Sequence, residues 1–323
     1  MYVWRQTGAW VSKHEEKERM TARGMRLQSL TAITLLSLCC GCVAPVRVSY
    51  RNALKTEYGK QAGYGKDEAK WIALNCPLEM PKHVAGADFG NTKIICREGY
   101  VLEHSAKDKI PLWVCERVTK AQVSGPLARP KPEPFAPEPL LKNQRRAELK
   151  DYRGTGYDRG HQAPSGDQTV SQALQNQTYF LSNMAPQFAA LNQRIWKALE
   201  ERVRAFAVTK GVVYVTTGCL FYDEAEENAA TADGYVEYEL IGNEVAVPTH
   251  FYKIVSWQDD QSKWQAVAFV IKNQKADFPK PYVFDNYTQS VEWIEKNAGI
   301  NFMPDLAGPD VKRVEGTKNL MWK

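Results

Sequence analysis

A proline-rich stretch between residues 128 and 141 limits the folds that are open to this chain. Its sequence, ARPKPEPFAPEPLL, holds five prolines in fourteen residues. Proline has no amide hydrogen to donate, so neither a regular helix nor a central strand can form there. We predict a long loop laid over the surface. It is either a spacer or a functional loop, because long loops in compact domains often carry function.

Strand and helix patterns surround this loop without a strict βαβ alternation. Six segments rich in β-branched and aromatic residues are predicted to be strands, and the first two form an antiparallel meander: 94–104, 110–119, 179–187, 212–218, 247–257 and 264–271. Segment 179–187 is expected to run from a strand into a turn. Apolar residues recur at helical spacing in 191–208 and 290–300. The mixture predicts an α+β fold with a central antiparallel sheet and flanking helices.

Residues 25–42 follow the pattern of a secretory signal peptide. A basic start at Arg23 and Arg26 precedes an apolar run that is short for a membrane span, and small residues follow. The Cys-Gly-Cys ending suggests a lipid attached at Cys42, and a plain cleaved signal is the alternative. We expect an exported protein that is periplasmic, anchored to a membrane as a lipoprotein, or secreted.

The rest of the chain divides into a tether and a single domain. Residues 1–42 are assigned to the leader and signal, 43–70 to a polar tether or irregular arm, and 71–323 to one domain. Four cysteines follow the leader: Cys76, Cys96, Cys115 and Cys219. An even number in an exported chain suggests disulfides, with three pairings open. Buried free thiols are the alternative, and the spacing is too wide for a zinc knuckle.

The segment DYRGTGYDRGHQAPSGD places a histidine, His161, directly after Asp-Arg-Gly. Histidine can take a proton near neutral pH, which suits a general base that activates water. Gly160 lets the backbone turn tightly, and Arg159 supplies a forked cation. A proton acceptor beside a cation suits chemistry on an anion. The alternative is a capped turn with a surface histidine.

Three polar side chains follow one flank of the predicted helix 191–208. Asn192, Glu200 and Arg204 lie in a slowly winding row with Trp196, because each step of four residues advances about 40° around a helix of 3.6 residues per turn. A carboxamide at the helix start is a plausible oxygen ligand for a hard cation such as Mg²⁺, which keeps several waters. The alternative is a solvated face with an ion pair between Glu200 and Arg204.

These motifs together resemble the DNA/RNA non-specific endonuclease family. YDRGH is followed about twenty residues later by LSNMAPQ and then by LNQRIWKALE, in the family's order and with similar spacing. The resemblance covers roughly Leu74 to Leu306. It implies a ββα-metal (His-Me finger) site, with the Asp-Arg-Gly-His motif on the first strand and Asn192 on the helix. The cofactor implied is Mg²⁺, with Mn²⁺ as a substitute.

The resemblance also implies a role for each site residue. His161 is expected to deprotonate water, Asn192 to be the single protein ligand of Mg²⁺, and Glu200 to hold waters of that ion. Arg159 and Arg204 are expected to neutralise phosphate charge. Asn183 is expected to support the site geometry. A further family arginine corresponds to Arg129, with Lys131 as the alternative register.

The function expected from this resemblance is an endonuclease that hydrolyses DNA and RNA with little sequence preference and leaves 5′-phosphate ends, and the leader adds the expectation of export. Gripping the sugar-phosphate backbone rather than base edges explains the low preference. Of the formal net charge of +5, residues 1–41 carry +3, so a polyanion needs a local basic patch. Two alternatives stay open: an inactive nucleic-acid-binding module of the same fold, and a metal-dependent phosphodiesterase acting on small phosphoesters.

Overall fold

The computed structural model describes residues 2–4, 10–12, 66–142, 144–227 and 236–322. The predicted signal, the lipid site at Cys42 and residues 43–65 of the tether lie outside these ranges. Residues 66–70, which were assigned to the tether, lie in a helix that spans Lys66–Asn75. In the described ranges, the helices are too short or too polar to cross a membrane. The division into leader, tether and one domain stays a prediction.

The strands and helices of the described residues are as follows. The strands are β1 (Tyr2–Trp4), β2 (Trp10–Ser12), β3 (Lys82–His83), β4 (Thr92–Cys96), β5 (Val101–Ser105), β6 (Pro111–Thr119), β7 (Asp158–His161), β8 (Met184–Gln187), β9 (Val212–Leu220), β10 (Glu237–Tyr238), β11 (Leu240–Ile241), β12 (Val245–Ala246), β13 (His250–Gln258), β14 (Trp264–Lys272), β15 (Thr288–Gln289) and β16 (Ile300–Asn301). The helices are α1 (Lys66–Asn75), α2 (Lys120–Val123), α3 (Gln172–Gln177), α4 (Lys197–Lys210), α5 (Val291–Ala298) and α6 (Pro309–Val314).

A seven-stranded antiparallel sheet forms the centre of the described molecule. Its strand order is β15-β14-β13-β9-β6-β5-β4. One face buries a core cluster that includes α4, and the other buries a cluster that includes α1 and α5. The predicted α+β fold with a central antiparallel sheet and flanking helices is therefore confirmed.

Two predicted strands have different boundaries in the structure. Segment 94–104 is a hairpin, because the chain turns between β4 and β5, where Arg97 N donates to Tyr100 O at 2.8 Å. The sequence does not reveal this turn, because apolar residues occur in both β4 and β5. In segment 179–187 the turn comes before the strand, which is the reverse of the predicted order. A 3₁₀ turn over Leu181–Asn183 precedes strand β8.

The predicted helix at 191–208 is present and starts with an irregular turn. Residues Leu191–Trp196 are π-helical and continue directly into α4. The predicted stripe of Ile195, Leu199 and Val203 is fully buried against the sheet. Such burial of an apolar stripe supplies most of the stability of a helix in a protein. The stripe thereby fixes which flank of the helix faces away from the core.

Contacts with buried residues fix the proline-rich loop against the core, so the loop is not a free spacer. Its Ala136 pairs with Phe180 in a parallel bridge. The buried carboxylate of Glu138 accepts hydrogen bonds from Arg97 and Ser182, both at 2.6 Å. These contacts hold the loop beside the segment that leads into β8.

The four cysteines predicted to form disulfides are buried free thiols. Cys76, Cys96 and Cys115 belong to one core cluster, while Cys219 belongs to the cluster on the other face of the sheet. Burial raises the pKa of the Cys96 thiol to about 12, and it also raises the pKa values of Cys76 and Cys219. The disulfide prediction is therefore wrong for this structure, and the alternative of buried thiols holds.

A two-stranded sheet of β7 and β8 stands apart from the main sheet and precedes the helix. Its register pairs Gly160 with Ala185 and His161 with Met184. Gly160 lies against the fully buried side chain of Gln187, and a Cβ added at residue 160 would come within 2.1 Å of Gln187 Oε1. Glycine is required at this position for close approach, rather than for the tight turn suggested by the sequence.

Gly160→Ala should destabilise the β7–β8 pair, because the added Cβ would overlap the fully buried side chain of Gln187, which would have to shift. We expect a loss of roughly 1–3 kcal/mol in the free energy of unfolding, measured by urea denaturation. The control is the same substitution in a Gln187→Ala background, where the space exists and the additional loss should shrink. An equal loss in both backgrounds would contradict this packing.

Candidate active site

An open cleft of about 720 Å³ lies where β7, the start of the helix and the proline-rich loop meet. Six of the seven residues predicted from the sequence line it: Arg129, Arg159, His161, Asn192, Glu200 and Arg204. The seventh, Asn183, is fully buried. The structure therefore brings the predicted imidazole and the predicted carboxamide to one cleft, although they are 31 positions apart in sequence.

His161 ends strand β7 and is nearly enclosed, with 6% of its surface exposed. Its ring centroid lies 4.9 Å from that of Tyr179 and 5.8 Å from that of Phe135. Within the described residues, its Nε2 atom is buried and has no hydrogen-bond partner. Burial, assisted by the positive charge of Arg129, lowers the pKa of His161 to about 3. The imidazole is therefore neutral near pH 7.

The side chain of Asn183 fixes the backbone of the segment that follows His161 through hydrogen bonds. Its Nδ2 donates to the carbonyl oxygens of Ala163 and Thr178, each at 2.8 Å, and its Oδ1 accepts from the amide of Ala163 at 2.9 Å. All of these bonds go to the backbone, so the carboxamide fixes the path of the chain and lies outside the cleft lining. This placement agrees with the supporting role predicted for it.

Asn192 is oriented by Asp158, a residue that the sequence reasoning missed. Asn192 Nδ2 donates to Asp158 Oδ2 at 2.9 Å, and Gln193 Nε2 donates to the same oxygen at 2.9 Å. Because the amide nitrogen is the donor of this bond, the contact fixes the amino end of the carboxamide toward Asp158 and turns the oxygen away. The available signal was the position of Asp158 directly before Arg159 in the motif.

Glu200 and Arg204 both line the cleft, and Arg204 has a partner from outside the helix. Its Nη1 lies 2.9 Å from Oδ1 of the buried Asp167. The salt bridge in the structure is thus with Asp167, not the Glu200–Arg204 pair considered as the alternative. Burial raises the pKa of Glu200 to about 7, while the nearby charges of Lys253 and Arg204 oppose this rise.

Two further arginines complete the basic side of the cleft. The guanidinium of Arg159 lies 5.1 Å from the ring centre of Phe135 and 5.6 Å from that of Tyr152, a cation–π arrangement that holds the cation in place. Arg129 is mostly exposed at the rim and is ion-paired with Glu133. Arg129 lines the cleft and the alternative residue Lys131 does not, so the geometry favours the predicted register.

The donor set of this cleft fits a sparsely ligated hard cation. Among the described residues, no group of three or more His, Cys, Asp or Glu side chains is arranged to hold a metal ion. The cleft instead offers the oriented carboxamide oxygen of Asn192 and the carboxyl group of Glu200. Mg²⁺ takes few protein oxygens and keeps several waters, so these groups suit it.

A histidine on the first strand of a two-stranded unit, with an asparagine at the start of the following helix, defines a ββα-metal nuclease site. Residues 81–308 match the model of the DNA/RNA non-specific endonuclease family. The chain belongs to this family and is a DNA/RNA non-specific endonuclease. The resemblance predicted from the motifs is thereby confirmed.

Individual relatives agree with this assignment. A nuclease of Syncephalastrum racemosum is 38% identical over 217 residues, which cover 65% of this chain and 67% of that protein. The mitochondrial endonuclease G of Homo sapiens is 34% identical over 218 residues, which cover 67% of this chain and 71% of that protein. A crystal structure of EndoG in complex with EndoGI is similar with a TM-score of 0.63 and 31% identity, covering 72% of this chain and 94% of that one.

The buried neutral state of His161 should make the protein less stable in acid. An unfolded histidine has a pKa of about 6.5. Between that pH and about 3, the unfolded chain therefore binds a proton that the folded chain does not. Stability consequently falls as the pH drops through this window, by about 2 kcal/mol at pH 5 relative to pH 7.5 for this one residue.

The measurement is urea unfolding of wild type and His161→Asn at pH 7.5 and pH 5. The variant should lose about 2 kcal/mol less between the two pH values, because its side chain does not titrate. An identical loss in both proteins would mean that His161 is not buried in its neutral form.

Proposed function

We propose that this protein is an exported, Mg²⁺-dependent endonuclease that hydrolyses phosphodiester bonds of DNA and RNA and leaves 5′-phosphate ends. The observation that carries the proposal is the shared cleft of His161 and Asn192, bordered by three arginines. A proton acceptor, a cation ligand and positive charge for a phosphate are thus available at one place. Phosphodiester hydrolysis needs all three.

His161 is the general base in this proposal. Its imidazole, which lines the cleft, takes a proton from an attacking water. The water oxygen bonds to phosphorus as the bond to the 3′-oxygen breaks, which yields a 5′-phosphate and a 3′-hydroxyl. A neutral imidazole is the form required, and burial provides it near pH 7.

Asn192 would hold the Mg²⁺ ion, and Asp158 accepts a hydrogen bond from Asn192. When bound, the ion relieves negative charge on the phosphate and on the leaving oxygen. Asp158 keeps the carboxamide in the orientation that presents its oxygen, as partners of metal ligands commonly do. Glu200, from the same flank of the helix, accepts hydrogen bonds from waters in the cleft.

Arg129, Arg159 and Arg204 neutralise the phosphate and grip the backbone. The cleft is open, and in this proposal its cations bind phosphate oxygens rather than base edges. Such contacts position a strand without reading its sequence, which supports low sequence preference for DNA and RNA alike. Activity is expected to fall as salt rises, since phosphate contacts release counterions.

Export and lipid attachment at Cys42 rest on the leader sequence alone. The basic start, the apolar run and the Cys-Gly-Cys ending of residues 25–42 support them. An exported nuclease would meet polynucleotides from outside the cytoplasm, so its physiological substrate would be extracellular or periplasmic nucleic acid.

His161→Ala should lower the cleavage rate by roughly 10²–10⁴-fold, because it removes the base. Asn192→Ala should raise the Mg²⁺ concentration needed for half-maximal activity at least about tenfold. Both are measured by gel digestion of supercoiled DNA, linear DNA and RNA over a Mg²⁺ series, with EDTA as the metal-free arm. His250→Ala is the control, since that histidine is buried outside this cleft, and it should cleave like wild type.

Three results would contradict the proposal. Full turnover by His161→Ala would show that His161 is not the general base. Undiminished cleavage in EDTA would show that the reaction needs no metal ion. Cleavage of a small aryl phosphodiester in preference to long DNA would show that the substrate is a small phosphoester instead.

A further inference from the structure

One side of the cleft carries side chains that the proposed mechanism does not use. Tyr157, Gln193 and Lys197 line the cleft together with Asn192. Tyr157 directly precedes Asp158, whose carboxylate accepts from both Asn192 and Gln193 at 2.9 Å. Lys197 follows Gln193 by one helical turn. An aromatic ring, an amide and a cation therefore share one side of the cleft, next to the carboxamide of Asn192.

The ring of Tyr157 is fixed in place by its neighbours. Its centroid lies 4.4 Å from that of Phe188, and its hydroxyl donates to Glu239 Oε2 at 2.7 Å. Phe188 is held in turn, because its amide donates to Oδ1 of the buried Asn273 at 2.9 Å. Tyr157 is nevertheless only half-buried, and it lines the cleft. A ring fixed in this way can stack on a nucleobase with little loss of its own conformational entropy.

The other aromatic rings in the described lining of the cleft already have a cation against them. The guanidinium of Arg159 lies 5.1 Å from the ring centre of Phe135 and 5.6 Å from that of Tyr152. Tyr152 is also almost fully enclosed. Tyr157 has no such cation among the described residues. It is therefore the ring of this lining that is available to a base.

Lys197 is the most loosely held of the cations in the described lining. Its Nζ lies 3.9 Å from Oε1 of Glu201, which is too far for a hydrogen bond, and 64% of its side chain is exposed. Arg129, Arg159 and Arg204 each have a closer protein partner. Because an exposed ion pair contributes little energy, the ammonium can exchange Glu201 for a phosphate oxygen with little loss.

The position of Lys197 suits a phosphate other than the one that is cleaved. Five residues separate it from Asn192, which is roughly 6–8 Å along a helix. The scissile phosphate is expected at Asn192 and the three arginines. The ammonium of Lys197 is therefore placed for the next phosphate of the same strand.

We propose that Tyr157 and Lys197 form a subsite for an unpaired nucleotide beside the scissile phosphate: the ring stacks on its base and the ammonium binds its phosphate. The inference rests on the proposed function, because it extends the cleft in which His161 and Asn192 act. Every base has a flat π-face, so this subsite reads no sequence. In a duplex each base is paired and stacked, and exposing one costs energy. The subsite thus favours single-stranded DNA or RNA over duplex DNA.

The test is the affinity of the full chain for a short labelled single strand of DNA and for the matching duplex. Fluorescence anisotropy gives Kd for each ligand over a series of NaCl concentrations. The His161→Ala background with EDTA keeps the ligands uncut, and this protein is the parent to which each further variant is compared. Thermal melts give the stability of every variant separately.

Lys197→Met should reduce the slope of log Kd against log NaCl concentration by about 0.7 for the single strand, because one phosphate contact is lost. Lys210→Met is the matched control. It removes an exposed lysine from the end of the same helix, outside the cleft, and should keep the slope of the parent. A slope unchanged by Lys197→Met would overturn the subsite.

Tyr157→Leu should weaken single-strand binding roughly tenfold and duplex binding much less, because only an unpaired base can stack on the ring. The salt slope should stay the same, since stacking releases no counterions. Tyr157→Phe keeps the ring, loses only the bond to Glu239 and should bind like the parent. A ring that only supports the fold predicts equal weakening for both ligands. That result, or no weakening of either, would overturn the subsite.

A change in the ligand tests the same contact where Tyr157→Leu does not fold. A strand of abasic nucleotides keeps the phosphates and lacks the bases. It should bind the parent roughly tenfold more weakly than the strand with bases, with the same salt slope. Equal binding of the two strands would overturn the subsite.

Cleavage separates this inference from the proposed function. Loss of cleavage in His161→Ala, together with an unchanged salt slope in Lys197→Met, would leave the proposed function standing and refute the subsite alone. Retained cleavage in His161→Ala, together with the expected binding changes in the Tyr157 and Lys197 variants, would refute the general base and leave the subsite standing.

Discussion

The hydrogen bond from Asn192 to Asp158 joins the two halves of the active site. One partner opens the helix and the other opens the strand that ends in His161. Because the carboxylate accepts from both Asn192 and Gln193, strand and helix are fixed relative to each other where their side chains meet the cleft. The position of the imidazole relative to the carboxamide oxygen depends on this connection.

The packing around this connection leaves little freedom. The close approach of Gly160 to Gln187 holds β7 against β8. Asn183 then ties the chain beyond His161 to backbone groups, while the apolar stripe of the helix is buried on the central sheet. A site held by buried elements on three sides is preorganised, which favours electrostatic catalysis because the dipoles do not need to reorganise during the reaction.

Three titratable side chains near the cleft are almost fully enclosed: Glu116, Asp167 and Lys253. Arg204 of the cleft lies 2.9 Å from Asp167, and Lys253 donates to Thr217. The lining of the cleft is therefore joined to a buried carboxyl group from the turn that follows His161.

Local patterns predicted the residues of the site, but long-range contacts decided what surrounds them. The motif around His161 and the helix at Asn192 are read from neighbouring residues, and the resemblance to the endonuclease family predicted that the two converge. The pairing of Arg204 with Asp167, 37 positions away, and the placement of Lys253 opposite Thr217, 36 positions away, depend on how distant segments fold together. The disulfide prediction failed for the same reason, since the sequence does not give the distances between cysteine side chains in the core.

The most direct test of the central claim is a crystal structure of the protein grown with Mn²⁺, with the ion located by anomalous scattering. The account predicts one ion in the cleft, coordinated by the carboxamide oxygen of Asn192 and otherwise by water, with the imidazole of His161 facing it without binding it. An ion coordinated by His161, or found only outside this cleft, would contradict the account.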